Sequence, residues 1–487
     1  MNLIGCTRLK SLPKNLHKLE CLQTLSCVGC SRMKSFPEIK GKMGRLRKLN
    51  LSKTSIMELP SSIRHLHGLE ELDLSYCENL VRLLDNICSL SSLKILLLEG
   101  CSKLRGFPEI KGDMKIFERL DLSETTIEKL PPSIGHLKAL KHLDLSGCKN
   151  LESLPMSICN LSSLQTLLLG GCSKLKGFPE IKDDMENLER LDLSETAIKE
   201  LPSSIEHLKA LKHLDLSDCE NLESLPVSIC NLNSLQTLLS DGCSKLKAIL
   251  EVNLGVDLCS LRSLNLTCCI LKSRVIWNNY WFSSLKTLNP QCDQREEEIL
   301  NHICPLSSLV ELSVRNSNLM KREVLSDSFH LSSLQILSPR NFHLMKGGIL
   351  GDIFHLSSLV NLSLRNCKLM EDRIPGDIWN LPSLLKLSLS NCNLTEGEIL
   401  NHICHLSSLE ELYLDQNHFR SIPAGISQLS NLKGLSLSHC KNLLQILELP
   451  TSLRFLDAHC SHGISSSPSF LPIHSMVNCF KSELIQV

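Results

Sequence analysis

Aromatic side chains make up only 4% of this 487-residue chain, which has three Trp and three Tyr. Such scarcity argues against cores assembled around large rings and for an aliphatic interior laid down in thin, repeated layers. Net charge is missing too. Fifty-two Lys and Arg balance 52 Asp and Glu, so no overall field draws the chain to nucleic acid or to an anionic membrane. There is no run of ~18 apolar residues to cross a bilayer. The opening MNLIGCTRLK also lacks the basic and apolar regions of a secretory signal. These absences lead us to expect a cytoplasmic, or nucleocytoplasmic, location with no membrane span. Catalytic signatures are lacking as well. The Gly41–Lys42 pair is followed by Met43, so no phosphate-cradling loop is formed, and G-x-S-x-G, H-E-x-x-H and EF-hand patterns do not occur. The expectation is a non-enzymatic chain without cofactor or metal.

What the chain has in abundance is leucine at a fixed rhythm. The pattern L-x-x-L-x-L begins at residues 22, 46, 69, 93, 117, 140, 164, 188, 211, 235, 261, 285, 309, 334, 359, 384, 409, 432 and 453. The spacing, with Cys after the strand in twelve of the rungs, matches the leucine-rich-repeat template of Asn or Cys at that position. We expect an α/β leucine-rich-repeat solenoid, a horseshoe of about 19 rungs. Its concave face is a parallel β-sheet and its convex face carries short helical or irregular returns. The rung at 140–163 shows why. Leu143 and Leu145 alternate with His142, Asp144 and Ser146, so leucines point inward and polar residues outward along a short strand. Cys148 turns the chain inward, where Asn or Cys can satisfy backbone groups. Leu151, Leu154, Ile158 and Leu161 fill the layer behind, and Pro155 starts the return. No rung buries its apolar side alone, so stability comes from stacking.

The rhythm also disposes of the 24 cysteines. Twelve fall at the turn after the strand, from Cys6 to Cys440, and five follow an Ile on the opposite flank, so they read as small buried groups and not as a disulfide or zinc framework. The 18 histidines recur about once per rung and read as surface residues. Three rungs themselves repeat every 71 residues: RLDLSETTIEKL from Arg119 recurs as RLDLSETAIKEL from Arg190, and GCSKLRGFPEIK from Gly100 as GCSKLKGFPEIK from Gly171. Duplication of a three-rung unit follows. The boundaries expected are a partial rung at 1–21, a first block at 22–260, joint rungs at 261–308 that contain Trp277, Tyr280, Trp281 and Phe282, a second block at 309–460, and a Ser/Pro-rich tail at 461–487.

The rung wording LPSSIxHLxxLxxLDLSxC and GCSKLxxFPEIK closely resembles the repeat region of plant intracellular disease-resistance proteins. These have an N-terminal TIR domain, a central nucleotide-binding NB-ARC domain and C-terminal leucine-rich repeats, as in the tobacco mosaic virus resistance type. The stretch from Ile446 to Phe480 resembles the junction where such proteins enter a C-terminal jelly-roll domain. The chain reads as starting in mid-rung and stopping before that domain. The resemblance implies effector recognition and restraint of the nucleotide switch. The partners it implies are a pathogen effector or guarded host protein, and the NB-ARC domain. Two other readings stay open: a free-standing intracellular scaffold of the plant LPxxIxxL type, and an extracellular receptor ectodomain.

Two sets of site residues follow. In the second block a serine column (Ser313, Ser338, Ser363, Ser388) ends at Tyr413 and runs beside Arg315, Arg340 and Arg365, with Asp415 next to Tyr413. Tyr and Arg dominate interface energetics, so these five are the candidate protein-binding residues. In the first block Asp121 and Asp144 face each other at strand spacing and should repel unless Arg119 and His142 offset them. Residues 1–50 hold eleven Lys and Arg against Glu20 and Glu38, a local charge of +9. Arg45, Arg47 and Lys48 within it are the candidate intramolecular docking patch.

Overall fold

The computed structural model describes residues 1–246 (apart from 42, 113, 183 and 184), 260–266, 284–290, 308–313, 333–338, 357–367, 381–395, 398–446 and 448–459. The aromatic stretch of the joint rungs and the 461–487 tail lie outside them. The chain forms two compact units, Met1–Leu261 and Arg262–Val487.

In the first unit ten strands of three residues, from Thr24–Ser26 to Thr237–Leu239, pair in parallel with no slip of register. Their middle residues are Leu25, Leu49, Leu72, Leu96, Leu120, Leu143, Leu167, Leu191, Leu214 and Leu238, each at most 3% exposed. Nine more strands in the second unit centre on Leu264, Leu288, Leu312, Leu337, Leu362, Leu387, Leu412, Leu435 and Leu456. Every rung in the leucine alignment therefore contributes one strand, and the fold is a leucine-rich-repeat solenoid. The strands are short because the chain must turn as soon as two leucines have entered the core.

That turn is built the same way in each regular rung. One residue adopts a left-handed backbone: Gly29, Lys53, Tyr76, Gly100, Glu124, Gly147, Gly171, Glu195, Asp218 and Gly242 in the first unit. The next residue is a buried donor. Cys148 gives its thiol to the Leu122 carbonyl (3.1 Å) and Cys172 to that of Leu145 (3.2 Å), and Cys77, Cys101, Cys219 and Cys243 do likewise. Three rungs place threonine in this slot. The Thr125 hydroxyl donates to Leu122 O (2.7 Å) and touches Cys148 Sγ (3.3 Å), and Thr54 and Thr196 repeat the arrangement. The slot is thus a ladder of thiols and hydroxyls that satisfies backbone carbonyls inside the core.

The returns differ by motif. In LPxSI rungs a proline with φ near −67° precedes a single 3-10 turn, as Pro131 does for Pro132–His136 and Pro155 for Met156–Asn160. The rigid ring presets the entry angle, and Ile134 and Ile158 drop into the core. FPEIK rungs show no 3-10 turn among the described residues and grip the next rung. Ser133 Oγ accepts the Ile110 amide (2.8 Å) and donates to the Glu109 carboxylate. Ser62 serves Ile39 and Glu38 in the same way, and Ser204 serves Ile181 and Glu180. These grips recur at the 71-residue period, which gives the duplicated unit a physical lock between its rungs. In the second unit one return is an α-helix, Glu398–Ile403. Another pair of returns forms a small parallel sheet, Ser421–Ile422 with Gln445–Ile446.

Candidate protein-binding surface

The outward faces of the strands present side chains in columns, one per rung. In the first unit much of the charge in these columns cancels between neighbours. Glu70 receives Lys94 (2.9 Å) on one side and Arg47 (3.4 Å) on the other; Lys141 pairs with Glu118 (3.2 Å) and Lys212 with Glu189 (2.9 Å). Lys48 pairs with Glu71 at 2.6 Å. Two of the three docking-patch cations thus have acidic partners one rung away. Arg47 also donates to the carbonyls of Gly44 (2.9 Å) and Gly68 (2.8 Å). Arg45 is exposed and, among the described residues, its side chain meets Cys21 Sγ at 3.8 Å.

The aspartates of the same face have a local task. Asp144 Oδ1 accepts the Ser146 amide at 2.9 Å, and Asp73, Asp192 and Asp215 accept the amide two residues ahead in the same manner. Asp121 accepts both the amide (3.1 Å) and the hydroxyl (2.6 Å) of Ser123. These Asx turns start the bend that the left-handed residue completes. Burial pushes the Asp144 carboxyl above its ordinary range, the Ser146 bonds pull it back, and Asp121 adds to the rise. The expected offset is half realised. Arg119 reaches Asp121 at 3.5 Å. His142 gives little such help, because burial, with Arg119 and Lys141 beside it, pushes its pKa down and disfavours the charged ring.

The second unit presents a different face. Arg315 and Arg340 lie outside the described residues, whereas Arg365 is exposed beside its strand. Tyr413 is 39% exposed. Its hydroxyl donates to Glu411 Oε2 (2.8 Å), whose other oxygen holds Lys386 Nζ (2.9 Å). The Lys386 bond is the main cause that draws the Glu411 carboxyl below the usual range, while burial and the bonded carboxylate raise the Tyr413 phenol. The ring is therefore fixed in place with an apolar face free, an arrangement suited to an interface anchor. Asp415 is less available. It accepts the Ser438 amide (3.0 Å), the Ser390 hydroxyl (3.1 Å) and the Ser436 hydroxyl, so its carboxylate ties three rungs together. A groove of about 290 Å³ opens beside Tyr413 and is lined also by Glu411, Lys433, Gly434, Arg454 and Phe455. Of these lining residues only Tyr413 was singled out from sequence. The signal was present as a lone glycine and a phenylalanine at the first outward position of consecutive rungs.

Among the described residues no group of three or more His, Cys, Asp or Glu is placed to hold a metal, and no helix is long and apolar enough to cross a membrane. The described surface that can do chemistry is thus a strand face bearing aromatics and cations, on a leucine-rich-repeat scaffold. The profile of the leucine-rich repeat region matches residues 117–196 and 187–359. The chain is 37% identical over 235 residues to TMV resistance protein N of Nicotiana glutinosa, covering 47% of the chain and 20% of that protein. It is also 37% identical over 268 residues to protein suppressor of npr1-1, constitutive 1, of Arabidopsis thaliana, covering 50% of the chain and 18% of that protein. The chain spans about a fifth of the length of these relatives. A solved leucine-rich-repeat protein of Leptospira interrogans is similar in fold, with TM-score 0.50 and 25% identity over 94% of this chain and 90% of that one. The chain is similar, over about half its length, to the repeat regions of plant disease-resistance proteins.

Proposed function

We propose that this chain is the protein-recognition region of a plant intracellular immune receptor. The strand face of its second unit contacts a pathogen effector or guarded host protein. The first rungs, through Arg45, Arg47 and Lys48, dock on the NB-ARC domain and restrain its switch. The likeness to disease-resistance proteins supports the setting. The observation that carries the contact face is the fixed, partly exposed Tyr413 on a strand face that also carries the exposed Arg365 and Arg454, since rigid Tyr and Arg are the residues that most often anchor an interface.

The test is co-precipitation of the chain with candidate effectors and guarded host proteins, comparing the native chain with the Arg365→Glu, Tyr413→Ala double variant. Two anchors worth about 2 kcal/mol each would weaken capture by several hundredfold. A partner that binds both proteins equally would remove the second unit's strand face from the recognition site.

A further inference from the structure

Resting on that reading of the strand face, we propose that the site has a defined socket at Gly434. It takes one aromatic or long aliphatic side chain from a partner protein, next to a carboxylate on the same segment.

The argument begins with a glycine that the fold does not need. Gly434 is the first residue of its strand and is the only glycine at that position in the nineteen rungs. Its backbone is not left-handed. A Cβ built there meets only Glu411 Cγ, at 3.7 Å, an ordinary contact. Compare Gly100, where φ is +67° and a Cβ would meet the Tyr76 ring at 2.5 Å. Glycine inside a strand is unfavourable relative to alanine, and where no bulge or bend calls for it, it marks a place where another molecule approaches closely.

The missing side chain opens a gap in a filled column. Glu411, Gly434 and Phe455 are register neighbours on successive strands, so Glu411 and Phe455 stand about 9.6 Å apart, two strand spacings. Tyr413 and Phe455, 39% and 50% exposed, offer ring surface to the gap. One wall is stiff, because Glu411 is held by both Lys386 and Tyr413. The charges choose the partner. Glu411 already has its cation, and Lys433 is held by Glu410 at 2.5 Å. Arg454 lines the same groove, is exposed, and has no side-chain bond among the described residues. The socket therefore offers apolar walls and one unmatched cation, which calls for an apolar side chain beside Asp or Glu.

A phage-displayed library of short linear peptides panned on the full chain tests this. Selected peptides should place an aromatic, Leu or Met residue next to Asp or Glu. The best of them should bind at least tenfold more weakly to Gly434→Phe and to Arg454→Glu, and almost unchanged to Arg82→Glu, an exposed arginine of the first unit. Gly434→Ala should melt at the same temperature as the native chain or higher, while Gly434→Phe reports occupancy of the socket. Peptides without the acidic-apolar pair, no selected peptides, or binding that survives Gly434→Phe would overturn the socket, as would a marked drop in melting temperature for Gly434→Ala. If the selected peptides ignore Gly434→Phe but are lost on Arg365→Glu, the socket falls and the strand-face reading stands. If they ignore every strand-face substitution, both fall.

Discussion

Removing one carboxamide should measure how much the turn ladder stabilises a rung. Asn417 occupies the slot that Cys392 and Cys440 fill in adjacent rungs, and it is 1% exposed. Its amide donates to the carbonyls of Leu389 and Leu414, both at 2.8 Å, and its oxygen accepts the amides of Cys392 (3.0 Å) and Leu394 (3.1 Å). In Asn417→Ala four buried backbone groups lose that partner. Not all are stranded. Leu414 O keeps the Cys440 thiol at 3.2 Å. The Cys392 amide can turn to Leu389 O, as the Cys148 amide does to Leu145 O at 3.1 Å. The Leu394 amide has no such fallback, and a small cavity remains. One stranded donor and that cavity cost about 2–4 kcal/mol together. Asn417→Cys should fill the cavity and give Leu389 O a thiol donor, leaving mainly the Leu394 amide, about 1–2 kcal/mol. Hydrogen exchange read at single amides is the assay, because a repeat array opens locally. Protection at Leu394 should fall roughly 30- to 1,000-fold in Asn417→Ala and about 5- to 30-fold in Asn417→Cys. Equal losses in the two variants, or a loss under twofold in Asn417→Ala, would refute the account of the slot.

Burial holds the ladder thiols protonated, with Cys101, Cys172 and Cys392 pushed up to about 12 and Cys148 to about 11. A native pKa above the unfolded value means that this contribution is complete below pH ~9 and is lost as pH rises toward 12. Urea midpoints should therefore decline steadily above pH ~9. At pH 8, alkylation followed by mass spectrometry should mark the exposed Cys6 and Cys21 long before Cys101 or Cys148; equal labelling, or a flat stability profile to pH 11, would contradict the burial argument. The docking patch makes a prediction of a different kind, in a full-length receptor rebuilt around this chain. Lys48→Glu alone should be nearly silent. Because the patch is proposed to face an acidic surface of the NB-ARC domain, Arg45→Glu, Arg47→Glu and Lys48→Glu together should loosen restraint and cause cell death without an effector, and the added repulsion should weaken with salt as the Debye length falls to ~8 Å at about 0.15 M. A triple variant that stays quiet and still co-purifies with the NB-ARC domain at low salt would return these residues to a self-neutralised face.

The parts of this molecule that were legible in its sequence are those where one residue type does one job. Leucine can only go inward, so aligning leucines located all nineteen strand centres. The turn ladder was half legible, because its requirement is a buried donor and not a particular letter. Counting cysteines found Cys148 but passed over Thr125 and Asn417, which supply a hydroxyl and a carboxamide to the same kind of carbonyl. Charge was misleading when summed along the chain. The +9 segment contains Arg47 and Lys48, whose acids sit at Glu70 and Glu71, 23 residues on and one strand away. The aspartate column likewise combines an outward position with a task inside its own turn. In a repeat fold, then, a residue that conforms to its column is explained by the rung, and departures carry the information. Tyr413 interrupts a serine column, Phe455 is the only phenylalanine at the first strand position, and Gly434 beside it leaves empty a place where a Cβ would make only an ordinary contact. Three departures on adjacent rungs, gathered around one groove, are hard to derive from stacking energetics, because Tyr413 and Phe455 leave ring surface in water that polar residues there would not, and Gly434 gives up a side chain for which its Cβ has room.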